Sequence, residues 1–520
     1  MAETKTVAKA AGLLIAANLA SRVLGFLRET LIAGFYGQQG TTDAYVRAFI
    51  LPDLLYWMLM GGVLGSSLIP VLSEYIAKGE EKEGWRVVSA AGNLIFLCLS
   101  ILTLAGLVLT PWFVRLWAPD LQPELVGLTV HLTRVLLIQP LFMSFAGLAM
   151  AILNSYKLFW PSALGALLYN ACVIVFGTFF ELALHTGVAG FAFGTIIGAA
   201  VNFLVQIPAL RRLGGRYHFS LDWRLPGVRR IIWLAVPMIL SMLLNQIPIA
   251  IYSSLSSALP DGTLSGLTRA YRLFQLPIGI FALSVALAVF PNLTEQAALR
   301  QWGNLRQTAS KAVRMVILIT VPVSVGMVVL RYPLIRLLFQ HGAFTARDTT
   351  DTTIPLFYFC LGITAQAVIN ILPRVFYALQ DTWTPVLLGS LSMAVNIVAM
   401  YVLVKPLGGG GLALATSVTG VVNMLLLFAE LKRRLHQIDG VRMLWTTVQS
   451  VAASMVMGGV VWVWSAWLTR FAGTGTAASG VVLVTGSALG AAVFAAAAWL
   501  MRMEEFNQVW IMVRRRLRLG

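Results

Sequence analysis

The sequence predicts an all-α polytopic membrane protein of about fourteen transmembrane helices: two six-helix lobes related by a parallel repeat, plus two C-terminal helices. Three observations predict it: a charge-poor, apolar composition, fourteen apolar runs of membrane-spanning length, and an internal offset of 221 residues that recurs at three separate places. Of the 520 residues, 58% are hydrophobic and 11% are charged, with a mean hydropathy of +0.81. Soluble domains run at about 45–50% apolar and about 25% charged. So few charges cannot cover a water-exposed surface, and a bilayer supplies the missing apolar solvent.

A bilayer core needs about 20 apolar residues per helix. Such runs lie near 7–35, 44–77, 87–114, 126–153, 161–183, 188–210, 230–257, 265–295, 310–339, 352–379, 384–404, 410–430, 443–469 and 475–501. Pro52 and Pro373 interrupt the second and tenth runs. Proline removes an amide donor and clashes with the preceding turn; membranes tolerate such breaks where they face protein or a water-filled cavity. The opening MAETKTVAKA leads straight into the first run with no small-residue cleavage site, so it reads as a retained helix and not a signal peptide.

Orientation follows from the loops. Lys78, Lys82 and Arg86 follow helix 2, and Arg211, Arg212, Arg216, Arg224, Arg229 and Arg230 separate helices 6 and 7. Arg300, Arg306 and Lys311 follow helix 8, Lys432, Arg433, Arg434 and Arg442 follow helix 12, and Arg502, Arg514, Arg515, Arg516 and Arg518 close the chain. All of these lie on the side of the N-terminus. The alternate loops carry Asp43, Asp120, Glu124, Glu181 and Asp261. The positive-inside rule then places both termini in the cytoplasm. The net charge of +17 is this topology signal, and no nucleic-acid partner is expected.

The repeat is carried by three matches. Pro70-Val-Leu-Ser-Glu74 answers to Pro291-Asn-Leu-Thr-Glu295, Arg115-Leu-Trp117 to Arg336-Leu-Leu338, and GFAFGTIIGAAVN from Gly190 to GLALATSVTGVVN from Gly411. Helices 1–6 and 7–12 are therefore two copies of one unit. Six is even, so both copies enter the membrane in the same direction, as in two-lobed transporters with a site between lobes near the midplane. The expected domains are an N-lobe over 1–213, a basic linker over 214–229, a C-lobe over 230–434, and helices 13–14 with a basic tail over 435–520.

Ionisable residues at membrane depth are costly and normally mark a pathway. Helix 1 carries Arg22, Arg28 and Glu29, helix 2 carries Asp43 and Arg47, helix 4 Arg134, helix 8 Arg269 and Arg272, and helix 10 Arg374. A cavity lined by arginine with little acid suits an anion, because the guanidinium stays charged and its planar fork fits phosphate oxygens. Arg47, Arg134 and Arg374 have an alternative reading as snorkelling or lobe-pairing groups, and Arg28 with Glu29 as a local ion pair. Arg115 and Arg336 read as interfacial anchors. No enzyme is expected: there is no P-loop, no nucleophile elbow, and His131, His185, His218, His341 and His436 show no metal spacing. Cys98, Cys172 and Cys360 lie inside apolar runs and form no disulfide framework. Asn18, Asn170, Asn245, Gln246, Asn396, Thr416 and Thr419 read as helix–helix glue. Among them Asn245, Asn396 and Thr419 are the candidate Na⁺ ligands, and no other metal or cofactor is expected.

SRVLGFLRETLIAGFYG (Ser21–Gly37), TTDAYVRAFILPDLL (Thr41–Leu55), PVLSEY (Pro70–Tyr75), AILNSYKLFWP (Ala151–Pro161), AYRLFQLPIGIF (Ala270–Phe281), LFQHGAFTARDT (Leu338–Thr349) and YALQDTWTPV (Tyr377–Val386) together resemble the MurJ/MviN family of lipid II flippases, within the multidrug/oligosaccharidyl-lipid/polysaccharide exporter superfamily. The resemblance covers essentially the whole chain. It implies that Arg22, Arg28 and Arg272 line a central cavity and grip a pyrophosphate, with Asp43 at the outer end of helix 2, and that helices 13 and 14 line a groove for a polyprenyl tail. Tyr56, Gly61 and Tyr271 stand where similar proteins carry an arginine and two acids, which implies either a divergent member or one whose pyrophosphate grip uses other arginines such as Arg47. The function expected is flipping of lipid II from the cytoplasmic to the outer leaflet by alternating access. It would be driven by membrane potential or an ion gradient, with membrane lipids and cell-wall synthesis machinery as partners. The alternatives are a flippase for another undecaprenyl-pyrophosphate-linked glycan, a drug/cation antiporter of the same superfamily, and a non-transporting scaffold.

Overall fold

A computed structural model describes residues 2–59, 67–214, 217–435, 439–473 and 475–507, with the side chains at 2–16, 18–19, 59, 237, 240–241, 244–245 and 472 outside the description. Gly61, Arg216, His436, the C-terminal arginines and the side chains of Asn18 and Asn245 therefore lie outside the described residues. Every regular element among the described residues is helical, as hydrocarbon demands of a backbone that must satisfy its own amides. The helices follow the apolar runs: α1 (Ala2–Tyr36), α2 (Gly40–Ala48, Ile50–Leu59 and Ile69–Ala77), α3 (Glu81–Trp117), α4 (Pro123–Leu136 and Gln139–Ser155), α5 (Trp160–Leu184), α6 (Val188–Leu204 and Ile207–Arg212) and α7 (Pro226–Ser257). Then come α8 (Thr263–Pro277, a π turn Ile278–Ala282, and Leu283–Ala298), α9 (Trp302–Val329 and Arg331–Phe339), α10 (Ala346–Cys360, Ile363–Ile369 and Leu372–Ala378), α11 (Trp383–Leu407), α12 (Gly409–Leu435), α13 (Gly440–Ala472) and α14 (Thr476–Leu500). Among the described residues ten spans are long and apolar enough to cross a membrane, or eleven with the α10 pair, which bends by 49°. The chain is a multi-pass membrane protein.

Proline placement accounts for two of the breaks. Pro373 sits in the first turn of the last α10 piece, where its missing N–H costs nothing and its fixed φ favours a helix start. Pro52 lies near the start of the middle α2 piece, just after the break at Phe49.

The chain divides into two compact units, Met1–Gly262 and Thr263–Gly520. The boundary falls after α7, not before it. Although α7 opens the second sequence copy, it packs in the first unit against α2 and α3. Gly227 fits only because a Cβ there would lie 2.8 Å from the Val87 methyls, and Arg230 pairs with Glu74 at 2.5 Å. The linker before α7 is bound to α3 as well: Asn93 Nδ2 donates to the Ser220 carbonyl at 2.9 Å, and Tyr217 Oη donates to Asn93 Oδ1 at 2.5 Å.

The repeat is visible in backbone geometry. Gly79 (φ +75°) and Arg300 (φ +53°) close α2 and α8 at equivalent positions, 221 residues apart, each followed by the same six-residue return bond, Glu80 N–H to Tyr75 O and Gln301 N–H to Gln296 O. Gly187 (φ +63°) and Gly408 (φ +52°) open α6 and α12 in the same way. Gly190, Gly194 and Gly198 recur every four residues on α6, where a Cβ at Gly194 would lie 2.9 Å from the Gly177 amide of α5 and one at Gly198 2.7 Å from the Tyr169 carbonyl. Small residues at this spacing let membrane helices approach closely. In the second copy the same face is Gly411, Ala415 and Thr419.

On the side of the basic loops, Asp381 caps α11 and holds α12. Thr384 donates to its carboxylate through both hydroxyl (2.6 Å) and amide (3.0 Å), and Arg434 pairs with it. The Arg434 guanidinium also donates to Glu430 at 2.9 Å and lies over the Phe376 ring at 5.5 Å. The Thr384 hydroxyl and amide, and then Arg434, hold the Asp381 carboxyl down at about 2. A depressed carboxyl stabilises the fold fully above its unfolded value of about 3.9 and loses that contribution only as pH falls toward 2. Asp381→Asn is therefore expected to lower the melting temperature by the same amount at pH 6, 7 and 8; a difference that varies across this range contradicts the assignment.

Candidate functional site

The first unit holds a polar group of side chains in the middle of its helices. Arg28 on α1 is half-buried and donates from one terminal nitrogen to Glu29 Oε1 at 3.3 Å and from the other to Asn170 Oδ1 of α5 at 3.5 Å. Asn170 in turn donates to the Ser21 hydroxyl at 3.1 Å and to the Ser21 carbonyl at 3.3 Å. The amide thus ties two turns of α1 to α5 and aims the guanidinium. The Nε of Arg28 is buried without a hydrogen-bond partner among the described residues, so the guanidinium keeps a donor in reserve. Arg22, six residues earlier, is exposed. Toward the far end of α1, Tyr36 donates to Glu181 at 2.8 Å.

A second polar knot fixes the end of the first unit on the side of the acidic loops. Asp43 and Arg47 are both buried and face each other one turn apart, at 3.9 Å. Arg47 donates to the Ser256 hydroxyl of α7 at 3.2 Å, and Asp43 accepts the Gly262 amide at 3.0 Å. Gly262 has φ +86°, and a Cβ there would stand 2.3 Å from the Gln38 carbonyl oxygen, so only glycine fits. Asp43 and Arg47 thus pin the last residues of the unit to α2. A shallow cavity of about 540 Å³ opens beside this knot, lined by residues that include Asp120, Gln122, Ser257 and Asp261.

In the second unit, Arg272 is half-buried on α8, five residues before Pro277 and the π turn. Such turns often mark functional sites. Tyr271 beside it stacks into an aromatic group with Phe274 and Phe359, at 5.7 and 5.5 Å between centroids. Arg269 is 2% exposed and lies over the Phe344 ring at 5.3 Å. Arg374 lies over Phe290 at 5.8 Å and donates to the Asn370 carbonyl at 3.2 Å. Arg134, in the first unit, donates to the Leu107 carbonyl at 3.1 Å. These three have structural partners.

The candidate Na⁺ ligands Asn396 and Thr419 meet across α11 and α12. Asn396 donates to the Thr419 hydroxyl at 2.9 Å, which donates to the Ala415 carbonyl at 2.7 Å. The pair satisfies itself as helix–helix glue. Among the described residues no group of three or more His, Cys, Asp or Glu is placed to hold a metal.

Sequence reasoning missed two things. Asn170 reads as glue yet holds Arg28, and a buried arginine on α9, Arg314, paired with Glu505 after α14, was overlooked. The available signal for Arg314 was its position twelve residues into an apolar helix. One consequence of the Asp43 knot is measurable. Asp43→Ala removes the acceptor of Gly262 and strands the buried Arg47, for an expected loss of about 3–5 kcal/mol of stability. Asp43→Asn keeps a neutral acceptor and is expected to lose less; equal melting temperatures for wild type and the alanine variant would contradict the knot.

The family described as "Lipid II flippase MurJ" matches residues 32–483. The probable lipid II flippase MurJ of Vibrio cholerae is 28% identical over 488 residues, covering 89% of this chain and 91% of the relative. The lipid II flippase MurJ of Burkholderia cenocepacia is 29% identical over 459 residues, covering 85% and 87%. A solved lipid II flippase MurJ in an inward closed conformation shares the fold at a TM-score of 0.80 and 24% identity, covering 94% of this chain and 98% of that one. An inward-facing multidrug resistance transporter of the MATE family, from the MOP superfamily, shares it at 0.69 and 18% identity, covering 81% and 96%. With 452 consecutive positions inside the family match, the chain belongs to the lipid II flippase MurJ family.

Proposed function

We propose that this protein carries lipid II, the lipid-linked peptidoglycan precursor, across a bacterial inner membrane by alternating access, with both termini in the cytoplasm. The family match over 32–483 carries the reading. The arginine chemistry supports it. A pyrophosphate entering from the cytoplasmic leaflet would be engaged by Arg22 and Arg28 on α1 and by Arg272 on α8. Arg28 is the best prepared of these, because Glu29 and Asn170 fix its fork while one N–H stays unsatisfied among the described residues. Arg47 is committed to Asp43 and Ser256, which makes it a structural support of the site rather than a direct grip. The sugar–peptide head would travel through the protein while the polyprenyl tail stays in lipid beside α13 and α14. No nucleotide site is expected, so membrane potential or an ion gradient supplies the work.

A second reading, flipping of another undecaprenyl-pyrophosphate-linked glycan, is favoured by one observation. Tyr56 and Tyr271 put aromatic surface where similar proteins carry charge: Tyr56 pairs edge-on with Trp57 at 5.4 Å, and Tyr271 is 40% exposed. Aromatic faces suit sugar rings more than peptide carboxylates.

Reconstituted protein should move labelled lipid II between vesicle leaflets. Charge-assisted hydrogen bonds are worth about 1.5–3 kcal/mol, so Arg28→Ala and Arg272→Ala are each expected to slow flipping about ten- to a hundredfold. Asn170→Leu, which leaves Arg28 in place but unaimed, is expected to raise the half-saturating lipid II concentration more than it lowers the maximal rate. Full activity in both arginine variants removes the proposed grip. Rescue of a lipid II flippase-depleted bacterium separates the two substrates: failure to rescue with normal protein levels favours the other glycan.

A further inference from the structure

The two helices outside the repeat are held by a buried charge that nothing in the transport scheme requires. Arg314 lies twelve residues inside α9 with its side chain 4% exposed. It pairs with Glu505, whose side chain is 7% exposed, and reaches Glu504 at 3.2 Å. Thr446 of α13 donates to the same Glu505 carboxylate at 3.3 Å. Three elements therefore converge on one carboxylate: α9 of the repeat, α13, and the segment that follows α14.

That segment arrives by a sharp turn. Arg502 adopts a left-handed conformation (φ +51°), and the Met503 amide returns to the Ala498 carbonyl at 3.1 Å. A non-glycine residue in this region is strained and persists only when its surroundings over-determine it. The surroundings do so. Met503 is fully buried against Leu318 of α9 and Ala498 of α14, with Phe494 and Phe506 around them, and Gln449 of α13 donates to the Met501 carbonyl at 3.2 Å. The apolar plug and the ion pair sit side by side, so the chain after α14 is folded back under the bundle and fastened at two points.

We propose that Arg314 is a positioning residue: through Glu505 it seats the segment Met503–Phe506 between α9 and α13 and so sets where the α13–α14 pair stands on the second repeat copy. Its relevance to transport rests on the lipid II reading, in which this pair flanks the tail; its existence does not. Glu504 is 58% exposed and plays the minor part.

A buried ion pair has a distinctive mutational signature. Removing one partner strands a charge, whereas replacing both with apolar groups of similar volume is often neutral. The test uses the full chain in lipid nanodiscs, with hydrogen exchange of the backbone amides at 503–507 as the main readout and lipid II flipping as the second. Local opening governs that exchange. Arg314→Met and Glu505→Met are each expected to speed it at least about tenfold. The double variant Arg314→Met/Glu505→Met is expected to return to within about threefold of wild type, and Glu504→Gln to leave protection unchanged. Wild-type protection in both single variants overturns the proposal, as does a double variant no better protected than the worse single. In the second readout the singles are expected to flip lipid II at least about threefold more slowly and the double to recover. Full flipping in singles that have lost protection overturns the positioning role. A wild-type protein that flips no lipid II sinks the transport reading, while exchange still decides the staple.

Discussion

A guanidinium cannot rest in hydrocarbon without acceptors. Translocon scales put the cost of a central arginine at about 2.5–3.5 kcal/mol even after snorkelling and local water defects. Much of this molecule is arranged around that constraint. Arg47 is met by Asp43 and Ser256, Arg314 by Glu504 and Glu505, Arg374 by a carbonyl and a phenyl ring, and Arg269 lies over Phe344. Arg28 is different. Its partners fix its direction but leave Nε unsatisfied among the described residues, and Arg22 stays exposed. Partner geometry thus sorts basic residues that look alike in sequence into those taken up by helix partners and those that keep a donor open or stay exposed.

The second organising fact is duplication with divergence. The copies keep their left-handed turns at equivalent positions even where the residue type changes, as at Gly79 and Arg300. Backbone path was retained and side-chain chemistry moved. On α6 three glycines let α5 come into backbone contact, whereas on α12 the equivalent face ends in Thr419, which trades close approach for a hydrogen bond to Asn396. Either device binds two helices where no hydrophobic effect operates between them.

Helix identity was legible in the sequence, because apolar length and proline position are read directly by the bilayer. The repeat was legible too, since its matches fall at helix ends and packing faces. The unit boundary was not. Period and offset assign α7 to the second copy, but packing assigns it to the first through Gly227, Arg230 and Ser256, which touch residues distant in sequence. Arg28, Glu29, Asp43 and Arg47 stood out as membrane-depth charges, and the structure adds which pairs with which. Asn170, Ser256 and Glu505 were hidden for one reason: a polar partner carries no local signature, and only the tertiary fold brings it to its arginine.

The attachment of α7 to the first unit bears on where the chain can be divided. A cut in the basic linker, the obvious place by sequence, would sever α7 from Val87, Glu74 and Arg47 and leave an apolar helix on the wrong fragment. A cut after Gly262 falls at the border of the two compact units and keeps α7 with the helices it packs on. Two-gene expression of this protein therefore has its natural seam there, seven helices to a side, and not at the border that the duplication itself drew.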